Sequence, residues 1–291
     1  MNKIEELIGY GREKGCSDIH LTFGSEPVMR CAGELVVLKG YGIMNDETLM
    51  ECADLVLKGA GGKVAGGESL EDLDVCYETK EGSRNRVNIY RQQNHVTLAI
   101  RLLKEHIPTI EELNLPEGIR ELTSLRQGLV LVNGPAGSGK STALAAMIHE
   151  INVNFARHII TVENPTEYRH VNRKSIVNQR EVGTDVSSFA QGIKSALKED
   201  ADVILAGALQ DTETILAALT AAETGHLVFS ALHIAGAEES VSYMVDLFPL
   251  HQQQQIKARL QASLRAVVSR QFLADGDKSR RNTEVTVMGR K

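Results

Sequence analysis

The sequence contains no tryptophan, and its aromatic share is only 4%. Interleaved basic and aromatic residues of the kind that stack single-stranded bases are missing. Positive charge is in deficit as well: 32 Lys and Arg stand against 38 Asp and Glu, a net charge of −6. That balance does not suit neutralising a phosphate backbone, so nucleic acid is not an expected partner. No stretch approaches the roughly 18 uninterrupted apolar residues of a membrane-spanning helix. The opening segment MNKIEELIGYGREKG also lacks the apolar centre of a secretion signal. The expected location is cytoplasmic. Cysteine is scarce: Cys16, Cys31, Cys52 and Cys76 lie far apart in the N-terminal region with no CxxC pair. This speaks against a zinc site or a disulfide framework and for buried free thiols.

What the chain does have is an ordinary globular composition, 42% hydrophobic and 24% charged over 291 residues, a length that suits two domains. Residues 1–103 read as a small α+β domain: a helical stripe at Ile4, Leu7 and Ile8, extended segments at DIHLTF and Pro27 to Leu38, and a Gly-rich loop GAGGKVAGGE. The run RVNIYRQQNHVTLAIRLL follows, as two strands turning near Gln93 and Asn94. Residues 104–118, with two prolines, read as a linker. In residues 119–291, β-branched runs (GLVLVN, HIITVE, DVILAG, HLVFSAL) alternate with helical patterns, which predicts a parallel sheet with crossover helices. A helix opening at Gln252 to Gln255 is expected to carry Ile256, Leu260, Leu264 and Val267 on one face.

Between GLVLVN and the helix with Leu144, Met147 and Ile148 lies GPAGSGKS, which matches G-x-x-x-x-G-K-[ST]. Gly134, Gly137 and Gly139 permit a tight backbone, with Pro135, Ala136 and Ser138 between them. Successive N–H groups then converge on phosphate oxygens at a helix N-terminus. Lys140 is expected at the β and γ phosphates, Ser141 at Mg²⁺ and Thr142 at the α phosphate, so ATP and Mg are the implied ligands. Glu163, closing the strand HIITV, is the candidate to orient or deprotonate the attacking water. Glu167 reads equally well as a surface ion pair. His226 and His233 flank LVFSAL; each is either a γ-phosphate sensor or a satisfied structural histidine, with His226 preferred.

In order along the chain follow TVENPTEY, VNQREVG, the segment ALKEDADVILAGALQDTETILAALTAAETGHLVFSALH, and a helix after Phe248 and Pro249. Together with GCSDIHLTFGSEPVMRCAGEL near the start, they resemble the secretion and type IV pilus ATPases, within them the twitching-motility retraction type. The resemblance implies an α/β, RecA-like phosphate-loop domain preceded by a smaller PAS-like α+β domain. It further implies a homo-hexamer, or a mixed hexamer with a paralogue, lying peripheral to the inner face of the cytoplasmic membrane against a platform protein of a pilus or secretion machine. By the same resemblance Arg84 and Arg86, with Arg101, reach phosphate across a subunit interface; solvent-facing strand positions are the alternative.

Three positions depart from that family's pattern. Asn164 stands where the family carries Asp, and Ala208 and Gln210 fall in its second acidic motif, where Ala208 replaces a glutamate. Alanine has no oxygen to offer Mg²⁺ or its water. Ala201 and Lys198 are further differences, and the chain ends at Lys291, shortened relative to the family. Asp211 is expected to cap the next helix rather than act in the site. Two functions follow: an ATP-hydrolysing motor subunit for pilus retraction or secretion, or a nucleotide-binding pseudo-ATPase that regulates an intact paralogue.

Overall fold

The computed structural model describes residues 2–59, 72–103, 106–275 and 278–288, and the Gly-rich segment 60–68 lies outside them. Contacts divide the chain into two units, Met1–Glu105 and His106–Lys291.

In the first unit, α1 (Lys3–Glu13) begins at an Asn2 side chain that accepts from the Glu5 N–H. It is followed by β1 (Cys16–Leu21), β2 (Val28–Cys31), β3 (Glu34–Val37), α2 (Asp46–Gly59), β4 (Leu73–Glu78), β5 (Arg84–Gln92) and β6 (His95–Leu102). The strands form an antiparallel sheet in the order β3-β2-β1-β6-β5-β4. One core joins Ile4 and Leu7 of α1, Leu49 and Val56 of α2, and Val87, Ile89, Leu98 and Ile100 of the sheet. The turn between β5 and β6 falls at Gln93 and Asn94, both with positive φ. The free-thiol expectation is corrected at Cys16 and Cys31, which form a disulfide. Their separation of 15 residues hides the pairing, but the β1–β2 ladder sets them directly opposite one another.

The second unit contains α3 (Gly118–Ser124), β7 (Gly128–Asn133), α4 (Lys140–Asn154), β8 (His158–Glu163), β9 (Ile176–Glu181), α5 (Phe189–Ala196), β10 (Val203–Ala206), α6 (Thr212–Glu223), β11 (Leu227–Leu232), α7 (Ala237–Asp246), α8 (Leu250–Ser263), β12 (Leu264–Asp275) and β13 (Lys278–Val287). Its sheet order is β13-β12-β7-β11-β10-β8-β9, parallel except for the β12–β13 pair. Strand alternation serves two cores. Leu129 and Leu131 face the layer of α5, α6 and α8, while Val130 and Val132 face α3 and α4. Burial on both faces explains why β7 and β11 are apolar almost throughout.

One helix expectation is corrected here. α8 ends at Ser263, and Leu264 and Val267 are buried in β12 rather than on the helix face with Ile256 and Leu260. The 3.6-residue spacing continues by coincidence, while the β-branched Val267 and Val268 favour the pleated conformation.

The parallel strands bring the carboxyl ends of β7, β11, β10 and β8 to one edge of the sheet. That is where crevices form in open α/β folds.

Candidate functional site

β7 leaves the sheet at Asn133, whose amide donates to the Gly236 carbonyl and the Ser240 hydroxyl, anchoring the start of α7 at the same edge. The chain then turns through Gly134, Gly137 and Gly139, with φ of 141°, 78° and 87°. Those angles lie in the region L-residues rarely adopt, and Gly139 opens α4 with no side-chain cap. The first-turn N–H groups of α4 therefore lack a side-chain acceptor, and no acidic residue sits in that turn. This arrangement favours an anion.

Lys140 is buried, and its ammonium donates to the carbonyls of Gly134 at 2.9 Å and Pro135 at 2.8 Å. Burial lowers its pKa, and the nearby charge of Glu167 partly opposes that shift. Ser141 is exposed, with its hydroxyl 3.4 Å from Glu167 Oε1. Thr142 and the Tyr168 hydroxyl share a hydrogen bond of 2.9 Å. The acidic segment after β8 thus folds back over the start of α4.

This return sets the two carboxylates in different surroundings. Glu163 lies on the third strand from β7, about 14 Å across at the usual strand spacing. Its Oε1 accepts from Thr161 at 2.7 Å and from Gln179 on β9, the outer neighbour, at 3.2 Å. Glu167, left undecided from the sequence, is the carboxylate beside Ser141 and Lys140. β9 holds the segment in place: Gln179 donates to the Tyr168 carbonyl and accepts from the His170 N–H, and Glu181 accepts from the Thr166 N–H. Sequence reasoning gave Gln179 and Glu181 no role; the signal was their place in VNQREVG, directly after the acidic segment.

The two histidines lie at opposite ends of β11. Parallel pairing sets Leu227 beside Gly128 and Leu232 beside Asn133. His226 therefore sits at the opposite end of β11 from the phosphate loop, about 20 Å away at strand rise. There its ring Nδ1 lies 3.1 Å from the Ala221 carbonyl and 3.3 Å from Thr224 Oγ1. His233 is at the loop's end, and its pKa is lowered by burial and then by the charge of Lys140.

Ala208 follows β10, buried and without a polar atom in its side chain, while Gln210 and Asn164 are exposed. Asp211 caps α6 by accepting from the Thr214 N–H at 2.8 Å. In the first unit Arg86 is ion-paired with Asp74, and Arg101 with Asp18 at 3.1 Å. Arg84 offers its carbonyl to Arg12 at 2.7 Å. Among the described residues no cluster of His, Cys, Asp and Glu could hold a metal by itself, and no helix is long and apolar enough to cross a membrane.

His170, which ends the acidic segment, is buried, and its pKa is pushed down to about 4, chiefly by burial and secondarily by His149. Because an unfolded histidine titrates near 6.5, the unfolded chain takes up this proton first as pH falls. Stability from neutral His170 is therefore present above about pH 6.5 and lost on acidification toward pH 4. The urea midpoint of a His170→Gln variant is expected to fall less between pH 7 and pH 5 than that of the parent. His149, also lowered mainly by burial, retains part of the slope. An unchanged slope in the variant would reject His170 as its source.

Comparisons with known proteins agree with this geometry. Residues 86–289 match the family model described as type II/IV secretion system protein. The type IV pilus retraction ATPase PilT of Pseudomonas aeruginosa is 36% identical over 93% of this chain and 78% of its own length. The uncharacterized protein YggR of Escherichia coli is 44% identical over 95% of this chain and 83% of its own. The crystal structure of the pilus retraction motor PilT with bound ADP superimposes with a TM-score of 0.89 at 39% identity, over 99% of this chain and 83% of that one. The likeness carries the α/β, RecA-like fold expected from the motifs. The chain belongs to the type II/IV secretion system protein family, whose ATPases include pilus motors.

Proposed function

We propose that this chain is an ATP-binding and ATP-hydrolysing subunit of a hexameric motor for type IV pilus retraction or a related secretion machine. One observation carries the reading: the phosphate loop, the buried ammonium of Lys140 and the carboxylate of Glu167 meet at the N-terminus of α4. The bound ADP of the similar PilT structure supports it. Triphosphate oxygens replace the carbonyls of Gly134 and Pro135 as acceptors for Lys140, and the N–H groups of Gly137 to Thr142 cradle the rest.

The exposed hydroxyl of Ser141 would hold a magnesium ion whose remaining ligands are phosphate oxygens and waters, with the Glu167 carboxylate beside it. Bound there, magnesium neutralises charge on the phosphate oxygens. Glu167 accepts a proton from water as its oxygen attacks the γ phosphorus, and the bond to the bridging oxygen breaks to leave ADP. Glu163 acts through Gln179, which ties it to the Tyr168 backbone next to Glu167, and is thus a positioning residue. His233, near Lys140 at the end of the loop, takes the γ-phosphate-sensing role in this reading in preference to His226. Arg84, Arg86 and Arg101 are assigned to a neighbouring subunit's site, where each exchanges its present partners for phosphate. A membrane platform protein is the assigned partner of the ring.

Lys140→Ala is expected to abolish nucleotide binding measured by calorimetry. Glu167→Gln should bind ATP as the parent does while losing about 100-fold or more in turnover. Glu163→Gln should lose less than Glu167→Gln; the reverse order would return the water-positioning role to Glu163.

The buried Ala208 favours a second reading, in which the subunit binds nucleotide but leaves turnover to a paralogue in a mixed ring. Steady-state hydrolysis by the purified chain and by Ala208→Glu separates the two. For a working motor subunit the parent turns ATP over, and the substitution raises kcat by about tenfold or more. A parent that binds ATP without turnover and is rescued by Ala208→Glu is the regulatory subunit instead.

A further inference from the structure

The largest of the fully buried side chains among the described residues is a charged one. Arg270 on β12 is 1% exposed. Burying a guanidinium is costly unless its donors are directed at acceptors, so the position calls for a function or a close fit. Its Nε donates to the Ser138 carbonyl at 3.2 Å, inside the phosphate loop. The register explains the reach. Ser269 is paired with Asn133, so Arg270 lies one residue beyond the point where β7 gives way to the loop. The two backbones approach so closely there that a Cβ on Gly134 would stand 2.1 Å from the Arg270 carbonyl oxygen.

We propose that Arg270 is a positioning residue that presets the phosphate loop from the neighbouring strand. The reason lies in peptide geometry. Within one planar trans peptide the carbonyl and the N–H point in opposite directions. Holding the Ser138 carbonyl toward β12 turns the Gly139 N–H toward the other, concave side of the loop. A phosphate needs that N–H there. Lys140 performs the same service from within by gathering the carbonyls of Gly134 and Pro135. Ser138 itself is fully buried, and among the described residues its hydroxyl has no hydrogen-bond partner, so its backbone holds it: its N–H donates to the Pro135 carbonyl at 3.2 Å and its carbonyl accepts from Arg270. The guanidinium also adds a permanent positive charge behind the loop that does not titrate in the physiological range.

The inference rests on the nucleotide-binding reading, and its test keeps the two apart. Full-length parent, Arg270→Gln and Arg270→Lys are compared by hydrogen exchange of the amides in residues 134–141 without nucleotide, and by calorimetry with ADP. Both variants are expected to exchange faster in the loop while β7 and β11 keep parental protection. Arg270→Gln should weaken ADP by about tenfold, as for loss of one hydrogen bond to a charged group. Arg270→Lys should recover part of that affinity through its charge. Parental loop exchange together with parental ADP affinity in a folded variant overturns the proposal. Should Arg270→Gln fail to fold, Arg270→Lys decides by the same readouts. If the parent itself binds no ADP, the nucleotide reading fails, and loop exchange alone decides the role of Arg270.

Discussion

The ammonium of Lys140 is the interaction around which the second unit is arranged. It is buried, its pKa is lowered by that burial, and it rests on two backbone carbonyls that neutral peptides can supply but that do not balance its charge. A charged group in that position is stabilised most by an anion. The apolar β7 holds the start of the loop, α4 supplies the N–H groups, and the glycines let the backbone turn between them. Together these features make the start of α4 suited to an anion.

Around that centre the acidic segment is organised at one remove. Its carboxylate beside Ser141 is set by hydrogen bonds from β9, the outermost strand on that side, through Gln179 and Glu181. The outer strand thus serves as the frame to which this acidic arm is tied. The Thr142–Tyr168 hydrogen bond closes the arm on α4. Ala208, buried after β10, brings no carboxylate to that strand end.

How much of this was legible in the sequence depended on whether the signal was local. The phosphate loop, its flanking strand and helix, the Asp211 cap and the turn at Gln93 and Asn94 are decided by neighbours in the chain, and each was readable. The nearness of Glu167 to Ser141 was not, because it depends on a loop that doubles back to a helix some 26 residues earlier. Which histidine lies at the end of the loop required the direction of β11 relative to β7, which motif spacing does not encode. The Cys16–Cys31 disulfide depended on strand register, and the stretch from Leu264 to Val267 kept helical spacing inside a strand. In each case tertiary geometry fixed a position that the residue type alone left open.

The most direct measurement is a structure of the full chain with magnesium and a non-hydrolysable ATP analogue. The expected result is a Lys140 ammonium moved from the Gly134 and Pro135 carbonyls onto the β and γ phosphates, with Glu167 facing the γ phosphorus. A nucleotide bound elsewhere, or a Lys140 still held by those carbonyls with nucleotide in the loop, would contradict the assignment of this edge of the sheet as the ATP site.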